Sequence, residues 1–245
     1  MGCDIHFFVE AFVNNLWVPV KQKPKNTRLY KEVAPVLEKS YEERTNRDNY
    51  LIGEWINLLK KSGQYQWDVD RNYCLFTVLA GVRRIPSLHV ISRPRGLPSG
   101  LSRAIRILDN AHKSDHHSHS YLILKEIMEF NWHFSFSREG YVMMDGYQEL
   151  KEKGWTDHYF SPDELELFFD NKYRIISTEE MDNILHNQIQ KEFEVYPLTF
   201  AKWNISYVDF CDQFCREVLP QLQEACQELV QGDLERLRAV FWFDN

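Results

Sequence analysis

The chain of 245 residues is 44 % apolar and carries 16 Phe and 7 Trp, enough for a substantial core, so a disordered chain is excluded. Its formal charge of −7 argues against a protein that coats duplex DNA. Five Cys without paired spacing point to free thiols in a reducing cytoplasm, and no apolar run reaches the length of a membrane span.

Residues Cys3 to Val13 predict a strand. Alternation puts Cys3, Ile5, Phe7 and Val9 on one face and Asp4, His6, Phe8 and Glu10 on the other. An acid and an imidazole on a strand otherwise built for a core need a metal, a ligand or a polar network to satisfy them. Met1-Gly2-Cys3 also has the look of an acylation signal, but His6 stands where that pattern takes Ser or Thr. Asn14-Asn15 predicts a hairpin turn into Leu16 to Val20. Residues 21–50 are polar and weakly periodic and read as an irregular insertion, with a short helix near Glu32 to Arg44.

Ile52, Trp55, Ile56 and Leu59 fall at helical spacing up to Gly63. Asp70 is read as the cap of a helix carrying Tyr73, Phe76 and Leu79 and stopping at Gly81. A loop with Pro and Arg, Arg84 to Gly100, precedes a helix opened by Ser102. Ser120 is read as the cap of a helix burying Ile123, Ile127 and Met128. Ser161-Pro162-Asp163-Glu164 and Ser177-Thr178-Glu179-Glu180 are capping boxes. A long helix through Tyr207, Phe210, Phe214, Val218 and Leu222 is expected to kink at Pro220, and Ala239 to Phe243 forms a last strand. Apolar strands at both ends, with amphipathic helices between, predict an α+β fold. The expectation is a single compact domain over 1–245, with a mixed or antiparallel sheet that includes both terminal strands and is flanked by helices.

Gly2-Cys3-Asp4-Ile5-His6 opens a set of motifs that runs through Asp70-Arg71-Asn72-Tyr73, Leu75-Phe76, Leu79-Ala80 and Val82-Arg83. It continues through Pro94-Arg95-Gly96-Leu97-Pro98, then His117-Ser118-His119-Ser120-Tyr121-Leu122 with Leu124 and Glu126, and ends on Val240-Phe241-Trp242-Phe243-Asp244-Asn245. In these motifs the chain resembles a group of uncharacterised proteins, mostly encoded by bacteriophages, that open with Gly-Cys-Asp-Ile-His. The match is collinear, spans both ends, and fades over 21–60 and 135–235. Members usually carry an acid just after Leu-Pro, where this chain has Ser99-Gly100, so no carboxylate role is assigned there. The resemblance implies a viral origin and brings no activity with it.

Asp115-His116-His117-Ser118-His119-Ser120 packs three His into four positions before a predicted helix. Helix N-termini hold anions, and Ser118 and Ser120 can add donors. The same field favours neutral imidazole, which suits His117 and His119 as bases or metal ligands. The plain alternative is a capping Ser120 beside solvated His. Asp4 and His6 could complete a metal site with the His-x-His pair. Asp-x-His also opens the metallophosphoesterase pattern, whose later Gly-Asp and Gly-Asn-His parts are absent. Arg71, Arg83, Arg84, Arg93 and Arg95 cluster, and guanidinium suits phosphate. Structural ion pairs with Asp68, Asp70 or Asp244 are the alternative, evenly weighed for Arg71, while Arg95 is read as a ligand contact.

These residues assemble into an expected site. Asp4, His6, His117 and His119 are its catalytic candidates, and Arg71, Arg83, Arg95, Ser118, Ser120 and Asp244 its ligand-binding candidates. The ligand is an anionic small molecule or nucleotide, and no duplex DNA or membrane partner is expected. The reaction read from it is phosphodiester cleavage that removes a host immune second messenger in the host cytoplasm. A non-catalytic protein that sequesters the nucleotide, or an inhibitor of a host protein acting through residues 21–50, are the alternatives. A divalent metal is compatible with the site. No structural zinc is expected, because no Cys pair has finger or ribbon spacing.

Overall fold

The structure, a computed structural model, describes residues 2–85, 87–111, 115–186 and 195–244. In chain order come β1 (Ile5–Val13), β2 (Leu16–Val20), α1 (Arg28–Leu37), α2 (Asn46–Gly63), β3 (Gln66–Trp67) and α3 (Tyr73–Ala80). Next are α4 (Arg103–Ala111), β4 (His117–Ile123), α5 (Leu124–Glu129), β5 (Ser135–Val142), α6 (Met144–Lys153) and α7 (Pro162–Phe169). Then follow β6 (Tyr173–Ile175), α8 (Thr178–His186), β7 (Tyr196–Ser206), α9 (Tyr207–Phe210), a π-helical turn (Phe214–Val218), α10 (Leu219–Val230) and β8 (Leu237–Phe243). The chain groups into two compact units: the described residues of Met1–Asn131 with Cys211–Asn245, and those of Trp132–Phe210.

In the first unit the expected α+β class holds, with both terminal strands in one antiparallel sheet. The strand order is β2-β1-β8-β4, and β3 extends the β2 edge of β1. Met1 and Asn245 lie outside the described residues. β1 turns into β2 through Asn14 (φ 50°) and Asn15 (φ 62°), the two left-handed positions that a tight right-twisted hairpin requires. β8 is buried at every position because it is central and covered on both faces.

One face carries Phe7, Phe241 and Phe243 against Phe76 and Phe214. The other carries Phe8, Val240 and Trp242 against Leu101 and Ile105 at the start of α4. Burying each of these large side chains contributes roughly 1.5–3 kcal/mol. On that second face Glu10 and Arg238 form a buried ion pair, with Arg238 Nε donating to Glu10 Oε2 at 2.8 Å. The Ser102 N–H donates to Glu10 Oε1 at 2.8 Å, which fixes the start of α4 to β1.

Several local expectations need correction. Residues 21–50 are not an irregular insertion. They hold α1 and the start of α2, which pack together through Val33, Val36, Trp55 and Leu58. Lys23 and Arg28 also tie this stretch to Glu224, Glu228, Asp212 and Glu217. Thr45 and Asp48 form a capping box for α2, which starts at Asn46, six residues before the apolar spacing begins. Ile56 and Leu59 are exposed. Asn72, not Asp70, caps α3 by accepting from the Leu75 N–H, while Gly81 ends that helix at φ 67° as expected. Ser120 caps nothing, because residues 117–123 are strand and α5 begins at Leu124. The long helix near the C-terminus is three segments. Pro220, which has no N–H to donate, is the second residue after the π-helical turn.

In the second unit β7 pairs antiparallel with β5 and parallel with β6. Leu165, Phe169 and Leu198 form its core. The box at Ser161 forms, with Glu164 accepting from the Ser161 N–H and hydroxyl at 2.7 and 2.8 Å. The box at Ser177 forms by half. Ser177 Oγ accepts from the Glu180 N–H, and the Glu180 carboxylate goes to Arg174.

Candidate functional site

β1 delivers His6 opposite Trp242 of β8, so both lie on the α4 face of the sheet. The ring centroids of His6 and Trp242 are 5.9 Å apart. On β4, strict alternation would place His117 and His119 together. The structure separates them. Ser118 takes φ 52° and the β4–β8 register slips between His117 and Ser120, a β-bulge. His117 therefore stacks on Phe243 on the opposite face, and its Nδ1 meets Ser118 Oγ at 3.0 Å. His119 turns to the α4 face and packs on Trp242, where His116 also lies.

The result is a row of imidazoles over one indole. His6 and His116 have ring centroids 5.0 Å apart, and His116 and His119 6.3 Å. Each end of the row has a carboxylate. His6 Nε2 donates to Asp244 Oδ2 at 3.0 Å. His119 Nε2 donates to Asp109 Oδ1 at 2.7 Å, and His116 Nδ1 lies 3.4 Å from the same oxygen. An ionised carboxylate can only accept, so in the neutral form of each ring this bond favours the tautomer with the proton on Nε2 and the lone pair on Nδ1.

Burial grades along the row. The side chains of His116 and Asp109 are 3 % and 5 % exposed, whereas His119 and His6 are 21 % and 26 % exposed, so the row opens to solvent at both ends. Burial pushes the His116 pKa down, against the pull of Asp109, and the neighbouring His6 and His119 push the same way. Burial opposes ionisation of Asp244, but His6 and the Asp4 N–H outweigh it and hold the carboxyl below its usual range.

Beyond Asp244 the row continues to the rim. The Asp4 N–H donates to Asp244 Oδ1 at 3.0 Å, and the Asp4 carboxylate takes Arg71 Nε and Nη2, both at 2.6 Å. The guanidinium lies across Gly2, where a Cβ would come within 2.7 Å of Arg71 Nη1, so any larger residue there would displace it. No family model, no curated protein and no solved structure matches the chain. The chemistry of the site must come from its geometry.

The remaining expected residues fall outside the row. Arg95 is not poised for a ligand. Its Nη1 and Nη2 grip Glu126 at 2.9 and 2.6 Å, and its Nε donates to Ser92 Oγ. Burial of Glu126 is outweighed by Arg95, whose hydrogen bond is the largest influence and lowers the Glu126 pKa. Arg95 thus clamps the 84–100 loop onto the edge of the sheet, where the Gly96 N–H donates to the His119 carbonyl at 2.8 Å. Ser120 is buried and its hydroxyl accepts from the Arg95 N–H. Arg83 lies over the Tyr73 ring. Among the described residues no helix begins at His117 or His119, which lie in β4 with α5 starting only at Leu124, so the expected phosphate cradle is not formed there.

Two members of the row, Asp109 and His116, were not among the expected site residues. Asp109 has a sequence signal: it stands four residues after the buried Ile105, so a carboxylate falls on the apolar side of α4.

Proposed function

We propose that this protein is a hydrolase of a phosphorylated, nucleotide-like small molecule, with His6 and its Asp244 partner moving the proton. The observation that carries the reading is the pair of carboxylate-oriented imidazoles, His6–Asp244 and His119–Asp109, on one face with His116 between them. Phosphodiester cleavage needs a base for the attacking oxygen and an acid for the leaving oxygen, and oriented imidazoles supply both roles. Arg71 at the rim spends Nε and Nη2 on Asp4, and its Nη1 takes no part in that pair. That nitrogen is the site's cation for an anionic group.

Sequestration without turnover fits less well, since Arg95 spends both terminal nitrogens on Glu126 and Arg71 keeps only Nη1 outside its pair with Asp4, too little to clamp an anion tightly by itself. An inhibitor built on residues 21–50 also fits less well, because that stretch is docked through α1 and α2. Set beside the resemblance to phage-encoded proteins, the substrate class is a nucleotide second messenger of the host. The test is incubation with cyclic mono- and oligonucleotides and ADP-ribose derivatives, with products read by mass spectrometry. Turnover is expected, and His6→Asn should lower it by about 10²–10⁴-fold. Absence of turnover across the panel, with and without added divalent metals, would overturn the reading, as would full turnover in His6→Asn.

A further inference from the structure

We propose that Asp109, His116 and His119 form a binding site for one divalent first-row transition-metal ion, with zinc the best match to the donors. One ligand atom from each residue lies within 4.8 Å of the others, the spacing of a site that needs only side-chain adjustment to close. Two imidazoles and one carboxylate, with positions left open, are a donor set used by catalytic zinc and iron(II) centres. At metal–ligand lengths near 2.1 Å, two ligands of one ion sit about 3–4 Å apart. Asp109 Oδ1 and His116 Nδ1 are at 3.4 Å already. The 2.7 Å bond between Asp109 and His119 opens by rotation of the more exposed imidazole.

Charge supports the same assignment. Asp109 is almost fully buried, and among the described residues only His116 and His119 pair with it, with no Lys or Arg. A buried carboxylate facing imidazoles is best balanced by a cation held between them. Ligation takes neutral imidazole with its proton on the far nitrogen, which both rings can reach by tautomerisation. His6, with Asp244 behind it, packs on His116 beside this donor set. By contrast, Glu149, Asp157 and His158 also lie close together, but His158 and Asp157 are exposed and Glu149 is engaged by Thr156 and Lys153. His117 is excluded because the bulge sends it to the other face.

The inference does not rest on the hydrolase reading, and its readout is bound metal; with an ion in place His119 is a ligand, and the proton-moving role belongs to His6 and Asp244 alone. Chelator-treated protein is titrated calorimetrically with zinc, manganese and magnesium chlorides, and with cobalt chloride under visible absorption. One zinc or cobalt ion per chain is expected, with magnesium binding far weaker. The cobalt spectrum should show d–d bands of a four- or five-coordinate site and no thiolate charge-transfer band. Asp109→Asn and His119→Gln should each weaken binding by at least about a hundredfold, and His117→Gln should bind as the parent does. If a variant fails to fold by circular dichroism, the cobalt spectrum of the parent chain decides. Less than stoichiometric binding to the parent, a thiolate band, or unchanged affinity in folded His119→Gln would overturn the proposal. Failure here leaves the hydrolase reading standing, and an inactive protein that binds one ion leaves the metal site standing.

Discussion

Replacing Glu10 with alanine should be among the most damaging single changes in the first unit. The Glu10 side chain is fully buried and that of Arg238 is 5 % exposed. Arg238 is also fixed over the Trp17 ring at 3.8 Å. Removing the carboxylate strands a buried guanidinium, which costs about 3–5 kcal/mol. It also orphans the Ser102 N–H at the start of α4. Against a total stability of about 5–15 kcal/mol, this is a fifth of the whole or more. Arg238→Met should cost a similar amount, because it leaves Glu10 uncompensated and removes the contact with Trp17. The double change, Glu10→Leu with Arg238→Met, removes both charges and should cost less than either single one. Urea titration read by circular dichroism and Trp fluorescence gives the magnitudes, and amide hydrogen exchange should localise the loss to β1, β8 and α4. Single costs below about 1 kcal/mol, or a double cost equal to the sum, would refute the reasoning. The same change bears on function, since α4 carries Asp109 near its other end.

Ser118→Gly should keep the bulge and raise the melting temperature by about 2–4 °C, because the left-handed backbone at φ 52° costs a side chain roughly 1 kcal/mol. Ser118→Val should lower the melting temperature, and equal melting of the two variants would contradict the assignment. Gly81→Ala should cost about 1 kcal/mol by chemical denaturation, since φ is 67° while the nearest side-chain atoms, on Val90, are 3.7 Å or more from the added carbon. The Glu126 pKa is depressed in the fold, so its contribution to stability is present above the unfolded value of roughly 4.3 and is lost as pH falls through the lower folded value. Stability measured from pH 6 to 2 should therefore fall less steeply in Glu126→Gln than in the parent chain, and parallel acid limbs would sink this.

Much of the fold is legible where local chemistry and burial agree. β1, its Asn14-Asn15 turn and β8 read correctly because a central strand covered on both faces must be apolar throughout. Gly81 and the Ser161 box read correctly because each answers a backbone need within three or four residues. The errors arise where a partner distant in sequence decides. Residues 21–50 look irregular because α1 buries little more than Val33 and Val36, and its remaining tethers are ion pairs to residues some 190 positions away. Asp70 lost the cap to Asn72, an equally good capping residue two positions on, which periodicity cannot distinguish.

The site shows the same limit more sharply. Asp4, His6 and Asp244 meet because β1 and β8 pair in the register their apolar runs dictate, and that much follows from alternation. His117 and His119 part because one residue, Ser118, adopts a left-handed backbone and reverses the parity of the strand. Nothing in the local pattern forces that reversal, since Ser is not a residue that seeks the left-handed region. What rewards it is tertiary. The reversal turns His119 toward Asp109 on α4 and lets Ser120, on the other parity, hold the Arg95 loop. A motif of three imidazoles in four positions therefore contributes two to the row and one to the opposite face. The choice among them is made by a helix that begins fourteen residues upstream of β4 and is anchored on Glu10.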